Sequence, residues 1–221
     1  MTITETETET RVITLPRQAL ATALAATDCT RSTDTTRAAL TGWLVRITDE
    51  TLTVITCNMY AGTRATVRLA EPVAEPLEVL IGGADYPAKP TTLASLKCLK
   101  SAKNPKELLR VTLSRAAVGL TLYDGTVNEL GLAGVEYPNF DRIIDGTARV
   151  IDGKSFPTFN PLYLDSATRS QAAVRRATGD KLENNPVTVQ ALSELKPAVM
   201  VWHSYPLSLN VEHVLMPVRV A

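Results

Sequence analysis

The side chains that most often carry enzyme chemistry are few and scattered in this sequence. Its two histidines, His203 and His213, both stand in apolar, strand-like surroundings, which favours a structural role over metal ligation. Cys29, Cys57 and Cys98 are widely spaced and form no CxxC pair. This spacing indicates reduced thiols and argues against a zinc site or a disulfide framework. We therefore predict no metal site and no cofactor.

Motifs for a catalytic nucleophile or a phosphate-binding loop are also missing from the sequence. It contains no GxSxG, HExxH, GxGxxG or P-loop string. The stretch Gly82-Gly83-Ala84-Asp85 follows a predicted strand but lacks the lysine and the helix start that a phosphate loop requires. Asp124 and Asp145 stand beside glycines in predicted turns, where aspartate usually serves the turn itself. We predict no catalytic residues and a protein that is not an enzyme.

Basic side chains recur at helical spacing. Three lysines between residues 97 and 103 follow i, i+3, i+6 spacing, and two arginines of a later segment are seven residues apart. Each set therefore lies along one helix face, where it would contact duplex phosphates without reading bases or would form a solvated surface. No aromatic residues interleave with the lysines, so a stacking surface for single strands is not predicted. The candidate phosphate contacts are Arg17, Lys97, Lys100, Lys103, Arg169, Arg175 and Arg176.

A short motif at the C-terminus is a candidate site for protein recognition. An apolar run, His213 to Leu215, is followed by Met216, Pro217, Val218 and Arg219. Methionine suits adaptable binding surfaces, and a peptide could dock there through a few apolar anchors. The alternative is a strand in which Met216 and Val218 face a core.

The elements that must position these residues follow one plan, repeated three times. Helices are predicted over residues 17 to 27, 91 to 104 and 161 to 177. Each is preceded by a short strand and followed by alternating strands, at a spacing of roughly 65 to 75 residues. Antiparallel sheets with helices on one face are the expected packing, which places the chain in the α+β class.

Composition narrows the class of protein further. The chain has 221 residues, of which 45% are apolar, and its 23 basic and 23 acidic residues leave no net charge. This balance argues against a purely basic nucleic-acid binder. Residues 1 to 10 form a Thr/Glu tract that is predicted to be disordered and is not a signal peptide. No apolar stretch reaches the roughly 20 residues of a spanning helix, so a cytoplasmic protein is predicted.

Three strings, taken in order, resemble the bacterial DNA polymerase sliding clamp, the β subunit of the replicative polymerase. The stretch Ala39 to Val45, followed by Leu52 to Thr56, is similar to a clamp hairpin. Tyr137 to Ile144 is similar to a clamp string at a domain boundary, and Glu212 to Val220 is similar to the terminal strand. The resemblance covers most of residues 11 to 221. It implies a DNA-clamp-like fold of repeated βαβββ modules, with helices that line a hole for DNA.

The resemblance also implies partners. In clamps the Met-Pro-x-Arg tail forms part of the cleft that grips partner proteins, so Met216, Pro217, Val218 and Arg219 are the candidate cleft residues here. The expected partners are double-stranded DNA, bound without sequence preference, and a peptide motif of a DNA polymerase or clamp loader.

The chain departs from clamps in two respects. Thr56 is followed by Cys57-Asn58-Met59 where clamps prefer Thr-Asp, and no Gly-His-Arg-Leu string follows. The Thr56 to Tyr60 stretch is therefore expected to lie in the wrong domain for the cleft. The chain also offers three modules, with residues 11–145 as a clamp-like domain of two modules and 146–221 as a third. An unpaired module predicts a homo-oligomer.

Two functions follow from these observations. The first is a short processivity or accessory factor of a DNA polymerase, which binds duplex DNA and presents its C-terminal cleft. The alternative is a clamp-fold regulator or decoy that binds replication proteins without forming a ring. Oligomeric state separates the two, because a ring requires a closed oligomer.

Overall fold

The computed structural model describes residues 11–69, 71–73, 76–83, 91–96, 99, 107–113, 117–122, 127–131, 136–142, 159–179, 187–191, 197–204 and 207–217. Within these residues the chain forms two α-helices and eleven strands. The helices are α1 (Arg17–Asp28) and α2 (Pro161–Thr178). The strands are β1 (Arg11–Pro16), β2 (Trp43–Thr48), β3 (Thr51–Cys57), β4 (Ala61–Arg68), β5 (Leu77–Ile81), β6 (Leu108–Leu113), β7 (Ala117–Leu122), β8 (Val127–Gly131), β9 (Thr188–Ala191), β10 (Ala198–Ser204) and β11 (Leu209–Leu215).

The two α-helices match the first and third predicted helices. The α1 helix begins directly after Pro16, and the Arg17 backbone N–H donates to the Glu107 carbonyl at 2.8 Å. The α2 helix begins with Pro161, which needs no N–H partner, and Asn160 Oδ1 accepts from the backbone N–H of Leu162 at 3.0 Å. It ends at Gly179, whose φ of 71° is a left-handed conformation that favours glycine. The predictions over 17 to 27 and 161 to 177 are confirmed.

The helix predicted over residues 91 to 104 has a different form where the structure describes it. Leu93–Ser95 make a 3-10 turn, and Leu96, with φ −79° and ψ 79°, has left the helical conformation. Residues 97–98 and 100–104 lie outside the described part of the chain.

One seven-stranded antiparallel sheet dominates the fold, in the order β5-β2-β3-β4-β11-β10-β9. Its centre is the pair β4–β11, where Ala61 lies opposite Leu215 and Val67 opposite Leu209. Apart from the edge strand β5, the two halves have the same plan in chain order, because α1 is followed by β2, β3 and β4, and α2 by β9, β10 and β11. The first and third predicted modules are therefore joined edge to edge. The predicted 145/146 boundary lies outside the described residues, and the division into domains stays a prediction.

A second antiparallel sheet, β1-β6-β7-β8, contains the last three described strands of the middle module and the first strand of the first module, whereas β5 joins the large sheet. In β1, Ile13 and Leu15 are buried while Val12 and Thr14 are exposed, so one face of this sheet packs inwards. That face shares a core with α1 and with the helix side of the large sheet, around Trp43. All strand pairs are antiparallel, which confirms the predicted α+β class. No helix in the described residues is long and apolar enough to cross a membrane.

Candidate functional site

An apolar pocket of ≈310 Å³ opens on the face of the large sheet that is turned away from the helices. Four parts of the chain form it: the segment with Arg37 and Leu40, the β3–β4 turn, residues 138–140 and the end of β11. The strand register explains why they meet, because Gly62 of β4 lies opposite Cys57 on one side and Val214 on the other. Burial raises the pKa of the Cys57 thiol, so this wall stays neutral. We call this pocket, with Met216 at its edge, the cleft.

A glycine and a phenylalanine make the floor of the cleft. The Phe140 side chain is 4% exposed and lies directly over Gly62. A Cβ atom at position 62 would overlap the Phe140 ring, so any other residue there would push the ring off the sheet. The shape of the pocket therefore depends on a glycine in the middle of an otherwise regular strand.

The β3–β4 turn holds two large side chains out towards solvent. Asn58 Oδ1 accepts from the backbone N–H groups of Tyr60 and Ala61, at 2.8 and 2.9 Å, which fixes the turn. Met59 and Tyr60 are 54% and 51% exposed. The Arg37 guanidinium contacts the Met59 sulfur at the rim and is the charged residue among the described residues that line the pocket.

The C-terminal motif continues the sheet into the cleft. The Met216 backbone N–H donates to the Tyr60 carbonyl at 2.9 Å, one step beyond the last β4–β11 pair. Met216 and Pro217 are half-buried, and Met216 lines the pocket. Val218 and Arg219 lie outside the described residues. The structure thus brings Met216, the first residue of the predicted motif, to an apolar pocket.

Tyr60, which lies between the pocket-lining residues Met59 and Ala61, stacks on Tyr163 of α2. The rings of Tyr60 and Tyr163 are 5.0 Å apart between centroids and 15° from parallel. Tyr163 belongs to the first turn of α2, in which Leu162 is 73% exposed. We call Tyr60 and Tyr163 the tyrosine shelf. A flat aromatic surface beside an apolar pocket is suited to a ligand that has more than one apolar side chain.

Ion pairs fasten residues 136–142 over the sheet and so support the cleft floor. Asp141 bridges Arg46 of β2 at 2.5 Å and Arg64 of β4 at 2.9 Å, and Arg64 also pairs with Glu212 of β11 at 2.7 Å. Burial alone would raise the pKa of Asp141, but its hydrogen bonds and charge interactions with the two arginines outweigh burial and lower that pKa. The carboxylate therefore stays ionised and tied to both strands, directly after Phe140.

The opposite side of the large sheet carries α1 and α2, which pack side by side. We call their exposed surface the helix layer. Arg17, a predicted phosphate contact, does not belong to it: its side chain is buried and pairs with Glu107 at 2.8 Å. Its interpretation as a surface charge is incorrect, because burial of the first turn of α1 against the β6 segment encloses it. The partly exposed positions of α1 include Ala21 and Ala25, which are uncharged.

The other predicted phosphate contacts are divided between α2 and an undescribed stretch. Arg169 is exposed and pairs with Asp165 at 2.9 Å, while Arg176 is exposed and Arg175 half-buried near the end of α2. The three lysines predicted to form a stripe, Lys97, Lys100 and Lys103, lie outside the described residues. The structure places three arginines on one helix, and their contact with DNA stays a prediction.

The histidines have different surroundings. His203 is exposed on β10, whereas His213 is fully buried on β11. Desolvation lowers the pKa of His213 to about 3, so its imidazole is neutral. No cluster of three or more His, Cys, Asp or Glu side chains suited to a metal ion occurs in the described part of the chain.

Sequence reasoning missed several residues of the cleft. The Thr56 to Tyr60 stretch was expected in the wrong domain for the cleft, but the β4–β11 pairing places its end beside Met216, so that expectation is incorrect. The string from Tyr137 to Ile144 contains Phe140 but does not predict that its ring forms a pocket wall. Tyr163 carried no signal, because its partner Tyr60 is more than 100 residues away.

Comparison with known proteins identifies the architecture. No protein-family model matches the sequence, and no curated protein matches it. Solved structures match the fold over the whole of this chain. The DNA polymerase III β subunit of Thermotoga maritima is 14% identical in sequence, with 68% of its own chain covered and a TM-score of 0.68. The sliding clamp of Bacillus subtilis is 16% identical, with 67% covered and a TM-score of 0.67, and a Pseudomonas aeruginosa sliding clamp bound to griselimycin is 12% identical, with 68% covered and a TM-score of 0.67. The chain has the clamp fold that the sequence predicted.

Proposed function

We propose that this protein is a clamp-like accessory factor of DNA replication that has no catalytic activity of its own. Its cleft would hold an apolar peptide segment of a DNA polymerase or clamp loader. Its helix layer would lie along duplex DNA without reading sequence. The observation that carries the proposal is the cleft, an apolar pocket that ends at Met216 and borders the tyrosine shelf, on a clamp fold.

The chemistry of the cleft fits a peptide better than a small polar substrate. Its walls are apolar, with Cys57, Phe140 and Val214 buried around the floor. A pocket of ≈310 Å³ is large enough for one bulky side chain, and the shelf offers a flat surface for a second. Exposed apolar surface of this kind marks sites of protein interaction.

Binding of a labelled peptide tests the proposal directly. The probe is a polar decapeptide that contains one Leu and one Phe, with griselimycin as a second ligand because a Pseudomonas aeruginosa clamp with this fold is described as bound to it. Met59→Ala should weaken peptide binding, since Met59 lines the pocket. Leu108→Ala is the matched control, because Leu108 is 51% exposed, close to the 54% of Met59, but lies on the second sheet. If the two substitutions have equal effects, or if the parent does not bind the peptide, the cleft is not a peptide-binding site.

A regulator that occupies replication proteins without encircling DNA is the second candidate. The burial of Arg17 favours it, because α1 has no other basic residue and the described helix layer is left with few cations. Light scattering separates the candidates. A ring requires a homo-oligomer closed by pairing of strand edges such as β8 or β9, whereas a monomer that still binds the peptide would fit the regulator.

A further inference from the structure

A chain of hydrogen bonds passes beneath the cleft through His213. The ring is fully buried, and both of its nitrogens have partners. Its Nδ1 lies 2.7 Å from the Thr63 hydroxyl, and its Nε2 lies 3.0 Å from the Ser166 hydroxyl. These contacts join β4, β11 and α2, elements that are up to 150 residues apart.

The direction of each hydrogen bond follows from the acceptor at one end. The Ser166 hydroxyl donates to the Tyr163 carbonyl at 2.5 Å, which uses its one proton. It must therefore accept from His213, so the imidazole carries its proton on Nε2. The unprotonated Nδ1 then accepts from Thr63, which in turn accepts from Thr30 at 3.0 Å. One proton arrangement satisfies every member from Thr30 to Tyr163.

One end of this chain is next to the pocket wall in sequence, and the other end holds the tyrosine shelf. At one end, Thr30 lies 2.7 Å from the Thr56 hydroxyl, and Thr56 directly precedes Cys57 in the pocket wall. At the other end, Ser166 holds the carbonyl of Tyr163, whose ring forms half of the tyrosine shelf. A buried, fully satisfied network of this kind is rigid and stabilises one arrangement of the elements it joins.

We propose that His213 is a positioning residue for the cleft. Through Ser166 it holds the first turn of α2 so that the Tyr163 ring stays stacked on Tyr60, at a fixed distance from the pocket. This inference rests on the proposed function, because it concerns how the peptide site is shaped. It predicts that His213 affects ligand binding without touching the ligand.

A double-mutant cycle tests this dependence. Ser166→Ala and Tyr163→Ala should each weaken binding of the labelled peptide about tenfold, the size expected from the loss of a hydrogen bond or a ring contact. If Ser166 acts through Tyr163, the double variant binds no more weakly than Tyr163→Ala alone. If the loss of peptide affinity in the double variant equals the product of the two single losses, Ser166 and Tyr163 act independently and the proposal is overturned.

The matched control is Ser170→Ala. Ser170 is fully buried on the same helix, but its hydroxyl lies beside the Cys29 thiol and outside the chain of hydrogen bonds through His213. This variant should keep the parent affinity, and thermal melts establish that each variant is folded. If Ser170→Ala weakens peptide binding as much as Ser166→Ala does, the effect comes from the helix in general, and the specific role of His213 is refuted.

A measurement without ligand separates this inference from the proposed function. The ring-proton NMR shifts of Tyr60 and Tyr163 report their stacking in the free protein. Ser166→Ala and His213→Phe should both move these shifts towards those of unstacked tyrosine, and Ser170→Ala should not. Unchanged shifts in the first two variants would overturn the positioning role even if the peptide binds. Failure of the parent to bind would refute the proposed function alone.

Discussion

The cleft and the helix layer lie on opposite faces of one sheet and differ in how they are built. The cleft joins residues that are far apart in the chain, such as Gly62, Phe140 and Met216, in close apolar contact. The described helix layer is formed by two helices that pack through small residues, and its exposed arginines, Arg169 and Arg176, extend into solvent. The cleft presents an apolar surface of defined shape, and the helix layer presents positively charged side chains.

This difference determines how each face responds to substitution. Apolar recognition depends on a surface that close packing holds in place, so one added carbon atom can destroy it. Contacts with phosphate depend on the number of cations near the duplex, so the loss of one changes little. The cleft should therefore be sensitive to single atoms, and the helix layer only to summed charge.

Gly62→Ala should have the largest effect, and it should be confined to the cleft. The new Cβ would displace the Phe140 ring, so we expect about a hundredfold loss of peptide affinity and a destabilisation of about 1–3 kcal/mol. Fluorescence anisotropy and denaturant unfolding measure the two effects. Gly119→Ala on β7 is the control, because the nearest atoms to its Cβ, from Thr112, are 3.7 and 3.8 Å away. If both alanine variants bind like the parent, the Phe140 ring is not packed closely on Gly62.

Acid should act on both faces together, because His213 is bonded to the strands under the cleft and to a helix of the helix layer. Its pKa of about 3 in the folded protein is below the ordinary value of 6.5. Its contribution is complete above pH 6.5 and is lost as the pH falls towards 3, since the unfolded chain takes up the proton first. We expect a loss of about 1.4 kcal/mol per pH unit between pH 6 and 5. Denaturant unfolding at several pH values gives the free energy of unfolding of the parent and of His213→Phe. If this free energy falls equally steeply with pH in both proteins, His213 is not the group responsible.

Met216→Ala combined with Pro217→Ala tests whether the C-terminal motif binds a ligand or packs a core. We expect roughly a thirtyfold loss of peptide affinity, equivalent to about 2 kcal/mol, with little change in melting temperature. Both side chains are half-buried, so their loss should cost less stability than truncation of a buried methionine. A variant that melts far lower, with no selective loss of binding, would assign the motif to packing.

Charge reversal on the helix layer should have the smallest effect. Arg169→Glu with Arg176→Glu should weaken duplex binding and lower the slope of log affinity against log salt by roughly two. The control, Arg68→Glu with Arg110→Glu, makes the same change in net charge on exposed strand positions. An identical loss in both variants would mean that net charge, and not the helix layer, determines DNA binding. Reversal of Lys97, Lys100 and Lys103 extends the test to the predicted lysine stripe.

Local sequence patterns predicted much of the fold. Pro161 and the apolar spacing of α2 located that helix, and alternation in residues 43–56 located the first hairpin. The clamp fold followed from three strings in order. Tertiary contacts were not predictable in the same way. Arg17 was interpreted as a surface charge because its partner, Glu107, is 90 residues away.

The cleft shows the same limit. Met216 was predicted from its motif, but Gly62, Phe140 and Tyr163 owe their roles to the β4–β11 pairing. Nothing in the local pattern of either strand specifies that partner, because β4 and β11 are both largely buried strands that could pair with any neighbour. A strand pattern indicates which face is buried and does not indicate which strand lies alongside.

The β4–β11 pair has a consequence for how the protein is made. During synthesis β4 leaves the ribosome long before β11 exists, so the centre of the large sheet is at first an unpaired edge. Such edges recruit other chains, and contacts between distant segments form slowly. We expect the nascent chain to be most prone to aggregation until β11 is complete. The same strand that brings Met216 to the cleft would then be the one that ends this exposure.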